Sequence, residues 1–352
     1  MISDDSLVEQ LASDWFDRVP GYLDTAAVGL PFQASLEIMR ARLMEWEAGE
    51  CDPRSFDPDV ERCRHAFAQI VGSDVSSVGI IGQVSVASGV VTASLSDGSI
   101  VLAAEEEFTS ALFPFLADRR LSVKTVPFAD LIDAIDEGVD LVVVSAVQSN
   151  SGVVTDLEQL SEVSQRYGTR TYLDITQAAG WMTIETERFD VTACHGYKWL
   201  CSPRGAGFMT ATEEARTWLK PVSAGWYSGD DPWQSLYGPP LRLAPDARAF
   251  NTSPAWFSYA SAVPALEALA GVGPEAIGRY SVDLANSFRE KVGLDISDSA
   301  MVSLETNAGQ SLKEAGVAVS SRDGRARLSF YLYNTAADVE MAAEIVREAV
   351  QA

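Results

Sequence analysis

The chain has 352 residues, with 47% hydrophobic and 22% charged residues and a formal net charge of -24. This composition is typical of a globular protein, and the length allows a sizeable core in two lobes. The negative charge argues against nucleic acid or an anionic membrane as a partner, because a phosphate-binding surface needs clustered Lys and Arg. The densest acidic run, Glu105–Glu107, is interpreted as a solubilising surface feature.

The amino terminus and the cysteines indicate a cytoplasmic chain without a metal site. Met1–Asp5 contains neither the basic nor the apolar region of a signal peptide. No apolar run approaches the ~20 residues of a membrane span. The cysteines lack metal-type spacing and are expected to stay reduced; they are Cys51, Cys63, Cys194 and Cys201.

The amino-terminal region is predicted to be mainly helical. Apolar residues recur every four positions over 6–18, and amphipathic patterns follow over 34–49 and 58–71. Between the first two helices, Gly21–Gly29 is predicted to form a short strand and a small-residue turn. His65, in the third helix, is interpreted as a surface or packing residue rather than a ligand.

Strands and helices are predicted to alternate from 78 to 210. Val78–Ala87 has the pattern of a strand, a glycine turn and a helix start, whose backbone N–H groups suit an anion. Ile100–Ala103 and the β-branched run Leu141–Ser145 are predicted as strands, and 156–167 as a crossover helix. This order predicts an α/β fold with right-handed βαβ units. The sequence has neither a dinucleotide-binding glycine motif nor a P-loop motif.

The central stretch brings a carboxylate and a lysine to one edge of this sheet. Tyr172–Asp174 is predicted as a buried strand ending in Asp174, and Phe189–Cys194 as a strand leading to Lys198. Open α/β sheets bind ligands in the crevice at the carboxyl ends of their strands. Pyridoxal-phosphate chemistry requires both groups: a lysine that forms a Schiff base, and an acid that keeps the pyridine nitrogen protonated.

Each of these two residues also has a simpler explanation. Asp174 alone is explained as a helix cap after a core strand, and Lys198 alone as a surface lysine. Their combination with Gln177, His195 and Tyr197 favours a cofactor site. Of the chain's five lysines, only Lys198 lies among other chemically suggestive residues.

The motif around the lysine extends over about 35 residues of sequence. From Asp174 the chain has the pattern D-x-x-Q-x-x-G, followed by F-D, an aromatic residue before Lys198, and the Pro/Gly loop Ser202–Gly207. This pattern resembles the class V aminotransferase family, which includes cysteine desulfurases, kynureninases and isopenicillin-epimerase-like proteins. The resemblance implies pyridoxal 5'-phosphate as cofactor, with Lys198 and Asp174 as catalytic residues.

The resemblance also implies an architecture, that of the fold type I pyridoxal-phosphate transferases. A large domain holds a mostly parallel seven-stranded sheet, and a smaller α+β domain lies at the carboxyl terminus. The expected bounds are 18–254 for the large domain, and 1–17 with 255–352 for the small one.

A set of cofactor contacts follows from the same resemblance. The expected residues are Gln83, Val84, Ser85, Phe108, Ser149, Asp174, Gln177, His195, Tyr197, Lys198, Trp226, Thr252 and Ser253. Gln177 is expected to bond the phenolic oxygen, Phe108 to stack on the ring, and Tyr197 to contact the phosphate. Ser149 falls beside the 3'-oxygen, with the adjacent Asn150 as the alternative.

Several positions depart from the family pattern. Gln83 and Val84 stand where the family has two threonines, so a hydroxyl contact to the phosphate is lost unless Ser85 supplies it. Phe108 stands where related desulfurases have His, so any proton transfer must come from elsewhere. His195 replaces a Ser that contacts the phosphate in relatives.

The segment 225–254 is rich in Trp, Tyr, Pro and Gly, and a long loop of this kind is usually functional. It resembles a kynureninase segment that ends in a turn whose hydroxyl reaches the phosphate of the partner subunit's cofactor. Ser253 matches that hydroxyl, with Thr252 as the alternative. The resemblance therefore implies a homodimer with shared active sites. The aromatic loop around Trp226 and Trp233 is expected to select the substrate side chain.

The carboxyl-terminal region carries the expected substrate arginine. Helices are predicted over 255–271, 275–292 and 336–350, and strands near 300–304 and 325–332. Arg327 matches the family's substrate-carboxylate position, with Arg325 as the alternative, and a planar guanidinium pairs bidentately with a carboxylate. Ala27, in a segment that lines the substrate mouth in relatives, is the second expected substrate contact.

The cysteine positions narrow the expected reaction. Desulfurases need a mobile cysteine ahead of the substrate arginine, and 300–327 contains none, so cysteine desulfuration by the usual route is rejected. Cys194 and Cys201 are interpreted as packing residues. The resemblance favours an aminotransferase or a C–S/β-lyase that acts on a small amino acid. An epimerase, a kynureninase-like hydrolase and a non-catalytic cofactor-binding protein are the alternatives.

Overall fold

The computed structural model describes residues 4–304, 308–322 and 324–351. The strands are β1 (Val78–Ile81), β2 (Ile100–Ala104), β3 (Ser122–Val126), β4 (Leu141–Ser145), β5 (Arg170–Asp174), β6 (Val191–His195), β7 (Gly207–Ala211), β8 (Met301–Leu304), β9 (Ser320–Arg322) and β10 (Arg325–Ser329). The helices are α1 (Asp4–Trp15), α2 (Gln33–Glu47), α3 (Asp57–Ile70), α4 (Val84–Ser94), α5 (Thr109–Ala117), α6 (Leu157–Tyr167), α7 (Glu213–Trp218), α8 (Trp256–Val272), α9 (Pro274–Val292), α10 (Ala308–Glu314) and α11 (Ala336–Gln351). Over these residues, no helix is both long and apolar enough to cross a bilayer.

Strands β1 to β7 form one sheet in the order β1-β7-β6-β5-β4-β2-β3. The pairs β2–β3, β2–β4, β4–β5 and β5–β6 are parallel, whereas β7 is antiparallel to both β1 and β6. In β4, Val142 and Val144 pack into one apolar cluster while Leu141 and Val143 pack into another. Both faces of the strand are therefore buried, which explains its uninterrupted apolar sequence. The predicted α/β class and mostly parallel seven-stranded sheet are confirmed.

The pairing of β4, β5 and β6 brings polar residues to one edge of the sheet. Asp174 lies opposite Ser145 of β4 and Ala193 of β6, and β6 continues for two residues to His195. Because parallel strands end at the same edge, these side chains border one crevice, as the sequence predicts.

Some element boundaries differ from the sequence expectation by two or three residues. β6 begins at Val191 rather than at Phe189, because Val191 is the first residue of the strand to pair with both neighbours. β10 ends at Ser329 rather than at 332, where its pairing with β8 also ends. α1 ends at Trp15 rather than at 18.

A second, antiparallel sheet has the order β8-β10-β9. Helix α11 packs against α9 and α10, and α9 packs against α1 and β8. These elements form the smaller α+β part of the molecule. Helix α8 packs instead against α2 and α3. The domain division at 254 stays a prediction.

The segment Gly21–Gly29 links the small sheet to the lysine loop. Tyr22 and Asp24 make isolated parallel bridges with Ala318 and Ser329. The segment therefore runs beside β9 and β10 before it turns towards the large sheet.

The other end of this segment packs directly on the backbone of the lysine loop. The Gly29 N–H donates to the carbonyl oxygen of Tyr197 at 2.9 Å. A Cβ at position 29 would lie 2.0 Å from the carbonyl oxygen of Lys198, so no residue with a side chain fits without moving that backbone. The close contact fixes where the lysine side chain starts.

Candidate active site

A cavity lies at the carboxyl ends of β4, β5 and β6, beside the start of α4. It has about 520 Å³ of empty space, its open mouth included. Its lining residues are Gln83, Val84, Phe108, Ser110, Ser145, Ser149, Asp174, Thr176, Gln177, His195, Tyr197, Lys198 and Arg204. Most of the predicted cofactor residues therefore meet in one place. The sequence pattern did not point to Ser110, Ser145, Thr176 or Arg204 as site residues.

Lys198 is buried in the turn after β6. Its Nζ lies 5.4 Å from the centroid of the Phe108 ring and 5.8 Å from that of Tyr197. Burial lowers the pKa of Lys198 to about 8, although Asp174 favours the charged form. A fraction of the amine is therefore neutral near pH 7, which a lysine needs in order to attack a carbonyl carbon.

Asp174 is buried at the end of β5, where its Oδ1 accepts the backbone N–H of Thr176 at 2.8 Å. Burial raises the pKa of Asp174, while the hydrogen bonds from Thr176 and the charge of Lys198 lower it. A cation placed against this carboxylate would lower the pKa further. Asp174 is therefore suited to hold a protonated ring nitrogen.

A second buried carboxylate, that of Glu107, lies at the end of β2, next to β4. Its hydrogen-bond donors are the backbone N–H groups of Phe108 (2.8 Å) and Ser145 (2.7 Å), the Gln148 amide (3.1 Å) and the Ser145 hydroxyl. Burial raises the pKa of Glu107, and the hydrogen bonds from Ser145 and Gln148 oppose that effect. The interpretation of Glu105–Glu107 as a solubilising run is wrong for Glu107, which is 5% exposed because its side chain points inward against β4.

Gln177 and Ser149 are held by a closed set of hydrogen bonds. Gln177 Nε2 donates to the Ala26 carbonyl at 3.0 Å and to Ser149 Oγ at 3.1 Å. Gln177 Oε1 accepts the indole N–H of Trp199 at 2.8 Å. Both amide protons are therefore in use, whereas Ser149 Oγ accepts and retains a proton of its own to donate.

Arg327 is almost completely buried, at 1% exposure. Its Nη1 donates to the carbonyl and hydroxyl oxygens of Ser149, and its Nη2 lies 3.8 Å from Asp24 Oδ1. Burial lowers the pKa of Arg327 to about 10; Arg322 acts in the same direction and Asp24 opposes it. Within the described part of the chain, Nε and Nη2 have no hydrogen-bond partner. Nε is thus available to a carboxylate, whereas Nη2 already faces Asp24.

His195 and Tyr197 line the end of the cavity near α4. The His195 ring meets the Tyr197 ring edge-on, with 4.4 Å between centroids, and the Arg204 guanidinium lies 4.9 Å from the Tyr197 centroid. Burial lowers the pKa of His195 to about 4, and the charges of Arg204 and Lys198 act in the same direction, so the ring is neutral at pH 7. Its buried Nδ1 has no partner among the described residues and can bond a polar ligand.

The aromatic loop packs against the amino-terminal end of α3. Trp226 contacts the rings of Tyr227 and Trp233, at 5.0 and 5.1 Å between centroids. Trp233 Nε1 and Tyr227 OH both donate to the carboxylate of Asp57, at 2.6 and 2.9 Å. Trp226 does not line the cavity of its own chain.

The turn 251–254 lies along the edge strand β1. The Thr252 N–H donates to the Ile80 carbonyl at 3.0 Å, and Asn251 Oδ1 accepts the Ile80 N–H at 2.8 Å. Thr252 and Ser253 do not line their own chain's cavity. The other predicted residues outside the lining are Ser85, Ala27 and Arg327.

The side chains that line the cavity fit pyridoxal phosphate. A buried amine and a buried carboxylate lie at the carboxyl edge of a mostly parallel sheet, with an aromatic ring beside the amine. The unpartnered Nδ1 of His195 and the start of α4 offer polar contacts for the phosphate. The fold and the lining side chains together identify the cavity as a binding site for pyridoxal phosphate.

Comparison with known proteins gives the family. The model of the family described as aminotransferase class-V matches residues 86–292. The uncharacterized aminotransferase YcbU of Bacillus subtilis is 25% identical over 300 residues, which cover 78% of this chain and 80% of that protein. Isopenicillin N epimerase of Streptomyces clavuligerus is 25% identical over 205 residues, 53% of this chain and 49% of that protein. The chain belongs to the class V aminotransferase family and is a pyridoxal-phosphate-dependent enzyme.

Solved structures agree on the fold. The cysteine desulfurase CsdA of Escherichia coli has a TM-score of 0.81 to this chain and covers 98% of it, with 98% of its own chain matched. The sequence identity is 18%, so this likeness concerns the fold alone.

Proposed function

We propose that the enzyme is an aminotransferase or a C–S/β-lyase that acts at the α-carbon of a small amino acid. The observation that carries the proposal is the buried Arg327, whose Nε has no hydrogen-bond partner among the described residues and whose Nη1 bonds Ser149, which lines the same cavity as Lys198. A fixed guanidinium whose charge acts on the buried amine of Lys198 suits a substrate that carries a carboxylate near its reacting carbon.

The chain's own residues divide the work. Bound pyridoxal phosphate supplies an electron sink for negative charge that develops at the substrate α-carbon. Asp174 holds the proton on the ring nitrogen. Lys198 would act as the base and acid that takes and returns the proton at the α-carbon. Arg327 holds the substrate carboxylate, and Phe108 forms an apolar wall against the ring.

Cysteine desulfuration is not part of the proposal. That reaction needs an accessible thiolate, and 300–327 contains no cysteine. Cys194 and Cys201 are buried, and burial raises the pKa of both thiols. Both are suited to packing rather than to nucleophilic attack.

We further propose that the enzyme is a cytoplasmic homodimer in which the turn 251–254 reaches the partner's cofactor. Thr252 and Ser253 lie at the β1 edge and outside their own cavity, which supports a role across an interface. Leu43, Met44 and Trp46 of α2 are exposed apolar side chains, as expected of a surface that another subunit covers.

One experiment tests the reaction type. The holoenzyme is incubated with a panel of small amino acids, with and without a keto-acid acceptor, and three products are measured. Keto acid formed only with the acceptor identifies an aminotransferase, and pyruvate with released thiol or ammonia identifies a lyase. Exchange of the α-proton for deuterium with inversion, and without either product, contradicts the proposal in favour of the epimerase that the relative suggests.

A further inference from the structure

The loop between β6 and β7 carries Arg204 to the start of α4. In the sheet, Gly207 of β7 pairs with Ile81 of β1 on one side and with His195 of β6 on the other. Arg204 precedes Gly207 by three residues, and Val84 follows Ile81 by three residues on an antiparallel strand. Both therefore come to the same end of the cavity, and both line it.

That end has little positive charge from other sources. A phosphate monoester carries about -1.5 to -2 charges near pH 7. Among the described lining residues, the basic side chains other than His195 are Lys198 and Arg204. Lys198 is needed at the cofactor carbonyl, His195 is neutral, and Val84 has no polar side-chain atom. The backbone at the start of α4 contributes only about half a charge.

Arg204 is placed for such a contact and its charge is not already neutralised. The guanidinium lies over the Tyr197 ring at 4.9 Å, and the backbone is fixed because Ser258 Oγ donates to the Arg204 carbonyl at 2.9 Å. In the part of the chain that the structure describes, no carboxylate forms a salt bridge with Arg204. Arg204 is exposed at the edge of the cavity that it lines, so its charge remains open to an anion that enters there.

We propose that Arg204 supplies the positive charge of the phosphate subsite, with Tyr197 holding the guanidinium in position. The inference rests on the cofactor site and is independent of which reaction the enzyme catalyses.

The test compares two ligands that differ only in the phosphate. Apo wild-type protein and the variants Arg204→Gln and Arg204→Lys are titrated with pyridoxal 5'-phosphate and with pyridoxal, and binding is followed by tryptophan fluorescence. Arg204→Gln should weaken the binding of pyridoxal phosphate by about 10- to 100-fold, the loss expected for a charged hydrogen bond. Its affinity for pyridoxal should stay within about twofold of the wild-type value. The affinity of Arg204→Lys for pyridoxal 5'-phosphate should lie between those of the wild type and Arg204→Gln, because lysine keeps the charge but lacks the paired N–H donors of the guanidinium.

The control is Arg119→Gln, which removes one charge from an exposed arginine outside the cavity and should bind both ligands as the wild type does. An equal loss for both ligands would show that Arg204 only supports the loop, and this outcome overturns the inference. So does unchanged binding of pyridoxal phosphate by Arg204→Gln. A wild-type protein that binds neither ligand would instead overturn the cofactor assignment itself.

Discussion

At one end of the cavity, Ser149 is hydrogen-bonded to Gln177 and to Arg327, which lies outside the lining, and Gln177 also bonds the carbonyl of Ala26. At the other end, the His195 and Arg204 side chains meet at the ring of Tyr197, and the Nδ1 of His195 has no partner among the described residues. At the first end, Gln177 and Ser149 are fixed before any ligand arrives, although the Nε of Arg327 has no hydrogen-bond partner among the described residues. The second depends on the ligand to complete it.

This difference separates two functions. A group with all its hydrogen bonds formed cannot shift to suit different ligands, so the Gln177 end is suited to fixing the geometry of the reacting carbon. Polar groups without partners gain most when a charged ligand arrives, so the Arg204 end is suited to retaining the cofactor. Substitutions at the first end should therefore change turnover and spectra, and those at the second end should change cofactor affinity.

The largest effect is expected for Lys198→Ala, because Lys198 is needed both to attach the cofactor and to transfer the proton of the substrate. Loss of the amine removes the covalent link to the cofactor and the proton carrier at the α-carbon, so turnover should fall by at least about 10²- to 10⁴-fold. The cofactor's visible absorbance band, and its bleaching by borohydride, should disappear. Lys220→Ala, which changes an exposed lysine, is the control. A borohydride-sensitive band that persists in Lys198→Ala would contradict the assignment.

Arg327→Gln should weaken substrate binding, whereas Arg204→Gln should weaken cofactor binding. It removes the carboxylate contact, so KM for the amino acid should rise by about 10- to 100-fold while the dissociation constant of pyridoxal phosphate changes less than about twofold. Steady-state kinetics and cofactor titration measure the two effects. Arg327→Lys should recover part of the affinity. If Arg327→Gln instead weakens pyridoxal phosphate binding and leaves KM for the amino acid unchanged, the assignment of substrate binding to the Arg327 end and cofactor binding to the Arg204 end is wrong.

The pH dependence of cofactor attachment tests whether the amine of Lys198 has a lowered pKa. Burial lowers the pKa of Lys198 to about 8, and only the neutral amine attacks. The rate of reconstitution of the apoprotein should therefore rise about tenfold per pH unit below pH 8 and level off above it. Stopped-flow absorbance with pyridoxal avoids titration of the phosphate. A rate that keeps rising beyond pH 10 would show an amine of ordinary pKa.

The smallest effect is expected for Ser149→Ala. The hydroxyl has a proton to donate to the phenolic oxygen of the cofactor, whereas both protons of the Gln177 amide are already in use. Loss of that donor should raise the midpoint of the pH titration of the visible band by about half to one pH unit, and lower kcat a few-fold. A shift in Gln177→Glu with none in Ser149→Ala would assign the contact to Gln177.

The sequence predicted the fold class and the Asp174–Lys198 pair because the information for both is local. A buried strand is indicated by its apolar run; Asp174 is the last residue of one such strand, and Lys198 lies three residues after the end of the next. The burial of Glu107 and the place of Arg204 in the cavity lining were missed for the opposite reason. Glu107 differs from its two acidic neighbours only through the partner strand β4, and Arg204 reaches α4 only through the β1–β7 register. Such pairings are not visible in the sequence near either residue.

The contact of Gly29 with the Lys198 backbone has a consequence for biosynthesis. The segment that carries Gly29 also bridges to Ala318 and Ser329, some three hundred residues later in the chain. A growing chain therefore exposes its first residues long before their neighbours are made, and such distant pairings form slowly. A ribosome-bound chain halted before β10 should lack a closed lysine loop. The cofactor should be captured only after the last strand has left the ribosome.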